Sequence, residues 1–159
     1  MGYFVYNTPF GKITLESDGS ALVRVVPGDV TLAGTRTPDA ITNAAATQLQ
    51  EYFAGRRRIF DLPLNPQGTA FQREVWHALE QIPYGETRTY SEVAAEIGHP
   101  GAARAVGSAN RVNPLPIIVP CHRVVPASGG VGDYAFGARM KETLLSLERG
   151  FARNAALGR

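Results

Sequence analysis

Apolar and polar positions divide the chain into two stretches of different rhythm. In the first, residues 3–6, 12–15 and 21–26 are short runs rich in Tyr, Val, Ile and Leu, as half-buried strands are. Turn signals separate them at Thr8-Pro9-Phe10-Gly11 and Ser17-Asp18-Gly19-Ser20, so the prediction is a small antiparallel sheet. Ile41, Ala45, Leu49, Tyr52 and Phe53 then recur close to helical spacing, which predicts a helix over 39–54 stopped by Gly55. The run 61–68, holding Pro63, Pro66 and Gly68, reads as a linker after an N-terminal α/β domain of residues 1–60.

The second stretch is helical. Thr69-Ala70-Phe71-Gln72 is a capping-box pattern, and Phe71, Val75, Ala78, Leu79 and Ile82 mark one helical face before Pro83-Tyr84-Gly85 ends it. A second capping box, Thr89-Tyr90-Ser91-Glu92, opens a short helix closed by Gly98, and a third helix is predicted over 102–110. Two short helices joined by a tight turn give the outline of a helix-turn-helix, an outline shared with helix pairs that bind nothing. The third helix is almost entirely small residues around one long cation, Arg104. Either its backbone approaches something grooved and Arg104 reaches in, or it packs tightly on another helix and Arg104 sits in a surface ion pair. A last helix over 138–149 carries Met140, Leu144 and Glu148 at four-residue spacing, flanked by Leu145. Glu148 thus falls on an apolar stripe, where a carboxylate needs a partner or must swing out to solvent. Residues 69–150 form the second domain, and 151–159 read as a frayed tail.

Composition narrows the class. Apolar residues make up 44% and charged residues 19%, the balance of a folded globular chain. No apolar run approaches the roughly 20 residues of a membrane span, and the first residues lack a signal-peptide pattern, so no membrane partner and a cytoplasmic location are expected. One cysteine excludes an internal disulfide and any multi-thiolate zinc site. The histidines at 77, 99 and 122 are too far apart for a local metal motif, so no metal is expected. The net charge is only +2, but between residues 97 and 132 stand Arg104, Arg111 and Arg123 without one acidic residue. Such a local basic surface attracts phosphates.

The candidate chemistry lies in Asn113-Pro114-Leu115-Pro116-Ile117-Ile118-Val119-Pro120-Cys121-His122-Arg123-Val124-Val125. A lone cysteine is most often a small buried hydrophobe. This one precedes a His and an Arg, and neighbouring cations lower a thiol pKa and favour the thiolate. On an extended strand Cys121 and His122 point to opposite faces. For His122 to activate Cys121 the chain must turn at Pro120, or a water must relay the proton. A third group usually orients such a histidine, and Glu148 is the candidate.

Ile82-Pro83-Tyr84-Gly85-Glu86-Thr87 through Tyr90, Ala102-Ala103-Arg104-Ala105-Val106-Gly107, Asn113-Pro114 and Pro120-Cys121-His122-Arg123-Val124-Val125 together resemble the O6-alkylguanine-DNA alkyltransferase family, in order and spacing over 69–150. The first stretch is similar to that family's variable N-terminal domain. The resemblance implies an α+β protein: a ribonuclease H-like N-terminal sheet with a helix, then a mostly helical domain with a winged-helix-like helix-turn-helix. It implies irreversible transfer of an alkyl group, chiefly methyl, from O6 of guanine in duplex DNA to Cys121, without cofactor, by a monomer bound in the minor groove. Transfer from O4 of thymine and cooperative binding along DNA stay open. By resemblance, His122 is the base, Glu148 orients it, Asn113 supports the relay and Tyr90 donates a proton to the departing base. Arg104 replaces the extruded nucleotide, with Ala102, Ala103, Gly107, Ser108 and Ser91 toward the DNA. Carbonyls of Cys121 and Val124 meet the exocyclic amine, and the loop holding Val131, Gly132, Tyr134, Ala135 and Phe136 faces O6. Where family members often carry Ser-Gly, this chain has Ala135-Phe136, which predicts ordinary methyl transfer but impaired handling of benzyl adducts.

Three rivals are weighed against this. A non-catalytic lesion sensor lacks the nucleophilic cysteine that this chain keeps. A helix-turn-helix regulator leaves Cys121, His122 and Glu148 without a task. A cysteine hydrolase usually places nucleophile and base far apart in sequence and needs an oxyanion hole.

Overall fold

The computed structural model describes residues 1–156, which form two compact units, the first Met1–Gln67 and the second starting at Gly68. In the first, β1 (Gly2–Thr8), β2 (Gly11–Ser17) and β3 (Leu22–Pro27) form an antiparallel meander, with Thr8 opposite Gly11 at the first turn. A short β4 (Thr35–Arg36) completes the sheet in the order β3-β2-β1-β4 and runs parallel to β1. The sheet is therefore not wholly antiparallel. The chain crosses from the β3 edge to the opposite edge before β4, and a crossover, unlike a hairpin, permits parallel pairing.

Helix α1 (Ala40–Phe53) covers the sheet, capped by an Asp39–Thr42 capping box and ended at Ala54. Ala45, Leu49, Tyr52 and Phe53 pack with Ile13, Leu15, Leu22 and Val25 in this unit's core, while the Tyr6 hydroxyl meets Thr42 and Asn43 at the helix start. Much of the segment read as a linker is bound into this unit. Leu22 N–H donates to Pro63 O (2.8 Å), Asn65 N–H donates to Leu22 O (2.9 Å), and Gln48 bonds both backbone groups of Asp61. A chain segment whose backbone groups are satisfied in this way is structure rather than tether.

The second unit contains α2 (Ala70–Glu80), β5 (Arg88–Thr89), α3 (Tyr90–Glu96), α4 (Ala103–Arg111), β6 (Val124–Val125) and α5 (Ala138–Ala156). Thr69–Gln72 and Thr89–Glu92 are both reciprocal capping boxes. Helix α4 packs on α2 and on α3, its partner in the helix-turn-helix. Ala102 stands at its N-cap and offers no side-chain cap. The indole of Trp76 donates to Ala109 O (2.8 Å) and ties α2 to α4. A Cβ on Gly68 would lie 2.4 Å from that indole, so only glycine fits at this entry to α2. The parallel pair β5–β6 aligns Arg88 with Val124 and Thr89 with Val125, joining the start of α3 to the segment after Cys121.

Helix α5 does not stop near Gly150 but continues to Ala156, so residues 151–156 are helical rather than a frayed tail. An interior glycine costs a helix only about 1 kcal/mol. The extra turn packs closely: a Cβ on Gly85 would come 3.0 Å from the Ala152 methyl. The rest of the expected tail, 157–159, lies outside the described residues.

Candidate active site

The segment before Cys121 folds back on itself. Val119 N–H donates to Leu115 O (2.8 Å), and the Asn113 side chain closes both ends of the loop, accepting from Leu115 N–H (2.9 Å) and donating to Val119 O (2.9 Å). Ile117 is held at φ 75°. That conformation is costly for a β-branched side chain and persists only where the surroundings enforce it, and here Ile117 is fully buried. At Pro120 (φ −78°, ψ 65°) the backbone makes an inverse γ-turn, with Cys121 N–H on Val119 O at 2.7 Å. Cys121–Arg123 then form one 3-10 turn, closed by Arg123 N–H on Pro120 O (3.0 Å). The chain does turn at Pro120, so Cys121 and His122 are not placed on opposite faces of a strand.

Glu148 takes the buried alternative. His122 Nε2 lies 2.7 Å from its Oε2, Arg123 donates to it through Nε (2.9 Å) and Nη2 (3.1 Å), and Gly85 N–H donates at 3.1 Å. Burial alone would raise this carboxyl, but His122 and Arg123 outweigh burial and hold it at about 2. An ionised carboxylate only accepts, so the imidazole proton sits on Nε2 and Nδ1 is the basic nitrogen. Burial lowers the His122 pKa despite the carboxylate, which keeps the ring neutral near pH 7.

Two sequence expectations are corrected here. Arg123 is not part of an exposed basic surface: it is buried, bound to Glu148, and donates to Ile82 O (2.8 Å). Nor do cations depress the Cys121 thiol. Burial pushes it up to about 11, and the Asn113 side chain and Lys141, which act in the other direction, do not offset this. The resting group is a neutral thiol.

Cys121 lines a cavity of about 960 Å³. Of the residues expected to act with it, Tyr90 and Asn113 also line the cavity, whereas His122 and Glu148 are fully buried. Arg104, Ala103, Gly107 and Ser108 on α4 form one wall; Ala102 and Ser91 are not among the lining residues. From the following loop Gly132, Tyr134 and Ala135 contribute, while Val124, Val131 and Phe136 do not. Phe136 instead stacks on Tyr134, with ring centroids 5.8 Å apart, and so acts on the cavity through that ring. Tyr90 is held between α4 and the loop: a Cβ on Gly132 would lie 3.5 Å from its hydroxyl. Burial raises its pKa, with the Asp133 carboxylate acting in the same direction, so it stays a protonated donor.

Sequence reasoning missed Lys141 and Asn110. Lys141 is buried and donates from Nζ to Val124 O (2.7 Å). It stands three residues before Leu144 and seven before Glu148, on the same helical stripe, and that spacing could have revealed it. Asn110 is buried in the cavity wall, four residues after the buried Val106. Among the described residues no group of three or more His, Cys, Asp or Glu could hold a metal ion.

The fold and site together define an α+β thiol protein whose cysteine opens beneath a helix-turn-helix. Two family models match it: the 6-O-methylguanine DNA methyltransferase ribonuclease-like domain over residues 1–66, and the DNA-binding domain of the same family over 70–150. The chain belongs to the 6-O-methylguanine DNA methyltransferase family. It is 47% identical over 156 residues to a methylated-DNA–protein-cysteine methyltransferase of Methanosarcina acetivorans, covering 93% of this chain and 98% of that one. It is 43% identical over 156 residues to the constitutive enzyme of that name from Bacillus subtilis, covering 92% and 94%. Among solved structures, Mycobacterium tuberculosis OGT in complex with DNA superposes with a TM-score of 0.87 at 47% identity, covering 95% of this chain and 94% of that one.

Proposed function

We propose that this chain repairs DNA by moving a methyl group from O6 of guanine onto Cys121, once per molecule. The observation that carries this reading is a buried thiol at a cavity walled by the small-residue helix α4, on a turn shared with a His122–Glu148 pair. The duplex binds through its minor groove, where Ala103, Gly107 and Ser108 let the α4 backbone come close. Arg104 fills the gap left by the extruded nucleotide. Extrusion costs a few kcal/mol, least for a damaged pair, which favours the lesion. Readout of sequence around the lesion is weak because the minor groove is degenerate.

In the cavity the Cys121 proton passes to His122 Nδ1 through a water, and Glu148 stabilises the imidazolium that forms. The sulfur then attacks the methyl carbon: the S–C bond forms as the C–O6 bond breaks, and the electron pair enters the purine. Tyr90 gives a proton to N3, so guanine departs neutral, and the proton held by His122 is released to solvent as Tyr90 regains one. A thiol held near 11 at rest makes this transfer to His122 necessary rather than incidental. The thioether product is a poor leaving group, so the protein is not regenerated. The protein acts as a monomer and needs no cofactor.

The test is intact-protein mass after mixing with excess duplex carrying O6-methylguanine, beside the Cys121→Ala variant. One methyl per chain, mapped to Cys121 and absent from the variant, is expected. Tight binding of the lesion with no adduct would instead select a lesion sensor, and repeated turnover of one molecule would select a hydrolase.

A further inference from the structure

Tyr134 belongs to both halves of the site. It lines the cavity with Cys121, and its ring meets the buried His122 ring edge-to-face, with centroids 6.2 Å apart and planes at 72°. Phe136 stacks on it at 5.8 Å, so the ring is held from two sides. Its hydroxyl is buried and has no hydrogen-bond partner among the described residues. A buried hydroxyl in that condition carries an uncompensated desolvation cost, so it marks a place where a polar partner belongs.

The neighbouring polar groups do not supply that partner. Glu148 is engaged by His122 and Arg123, Lys141 by Val124 O, and Asn113 by its own loop. Tyr90, Asp133, Arg104 and Arg111 line the cavity, and none of them bonds the Tyr134 hydroxyl. The proton relay to His122 has a matching need. A water between the Cys121 thiol and His122 Nδ1 accepts from the first and donates to the second, which leaves it a lone pair to fill, and buried waters make about three hydrogen bonds. Burial pushes the Tyr134 pKa well above that of an ordinary tyrosine, so the group is a permanent donor at neutral pH.

We infer that Tyr134 is a positioning residue whose hydroxyl donates to the water linking Cys121 to His122 and holds it between them. As the thiol proton passes to this water, a water proton passes to Nδ1, leaving a thiolate, an imidazolium and an intact water. Tyr134 keeps its own proton throughout. Its donation polarises the water and makes it a stronger donor to the new thiolate. Burial makes His122 a weak base, so this assistance raises the fraction of thiolate near neutral pH. The inference rests on the thiol–imidazole relay of the alkyl-transfer reading.

Cys121 is the single thiol of the chain, so its reactivity can be read without DNA. The experiment treats the full chain, wild type and Tyr134→Phe, with iodoacetamide, which forms an S–C bond and releases iodide. Intact mass gives the rate from about pH 7 to about pH 10. Near neutral pH the variant should react about tenfold more slowly, the worth of one hydrogen bond. The deficit should shrink toward the alkaline end, where hydroxide takes the thiol proton directly. Unfolding cannot mimic this loss, because it exposes the thiol at its ordinary pKa and raises the rate. A variant rate that is unchanged, raised, or lowered by one factor at every pH would overturn the assignment. Absence of methyl transfer from O6-methylguanine duplex to a wild-type protein that reacts with iodoacetamide as expected would sink the alkyl-transfer reading alone.

Discussion

The two units bury polar groups in different ways. The first buries Thr14, Ser17 and Thr42, hydroxyls with neighbouring backbone to bond, and one carboxylate, Glu16, which meets the half-exposed Arg24 at 3.3 Å. The second buries His122, Arg123, Lys141 and Glu148 together with Asn110 and Asn113. Isolated charges of this kind are expensive to desolvate, and removing one partner leaves the others uncompensated. The first unit therefore resembles an ordinary sheet-and-helix core, whereas the second buries a charged network whose members depend on one another.

The largest expected effect tests that contrast directly. Glu148→Ala strands His122 and Arg123 without their carboxylate and should cost about 3–5 kcal/mol in denaturant unfolding. It should also abolish methyl transfer. Its counterpart, Glu16→Gln, removes a charge with a single, part-exposed partner and should cost under about 1 kcal/mol. Equal costs at the two sites would break the comparison.

Acid should act next. The Glu148 carboxyl falls from 4.5 to about 2 on folding, so an unfolded chain takes up its proton first as pH drops. The stability it contributes is complete above about pH 4.5 and is lost between there and pH 2, a change of about 3 kcal/mol. His122 acts in the same direction: its pKa is lowered on burial, so acid below its ordinary 6.5 already favours the unfolded state. The chain has one tryptophan, Trp76, and it lies in α2 of the second unit. Its fluorescence should change during acid titration at a higher pH than the strand signal of the first unit. One coincident transition would mean that the units stand or fall together.

The same contrast explains what could be read from the chain alone. The strands, α1 and both capping boxes follow from local rules of spacing and backbone hydrogen bonding, and each was predicted within a residue or two. The parallel β4 was missed because its partner is set by a crossover, and the last turn of α5 because Gly150 is a stop signal that packing overrides. In the site, Glu148 was conspicuous as a charge on an apolar stripe. Arg123 was misread, since a motif cannot show which side chain turns inward. The thiol pKa went the wrong way for a related reason: sequence lists nearby cations but not burial, and burial dominates at Cys121.

A smaller effect, confined to chemistry, is expected at Phe136. Its ring braces Tyr134 without entering the cavity. Phe136→Gly frees Tyr134 to move aside, so transfer of a benzyl group should rise about tenfold relative to methyl, an amount within the reach of shape discrimination in an apolar pocket. Single-turnover rates with O6-methylguanine and O6-benzylguanine measure this ratio. Equal wild-type rates on the two substrates would remove the reason to assign Phe136 a role in adduct size.

The smallest effect is a control on the whole comparison. Asp39→Ala in the first unit and Thr69→Ala in the second each remove the side chain that caps a helix through a reciprocal box. Both should cost about 1 kcal/mol in denaturant unfolding, because a cap satisfies amide groups of the first turn and depends little on what lies beyond it. If the two costs agree while Glu148→Ala and Glu16→Gln differ several-fold, the units share their local rules and differ in their buried charge. If the Thr69 cap alone proves several times costlier, the second unit is more fragile throughout, and the large effect at Glu148 loses its claim to be electrostatic.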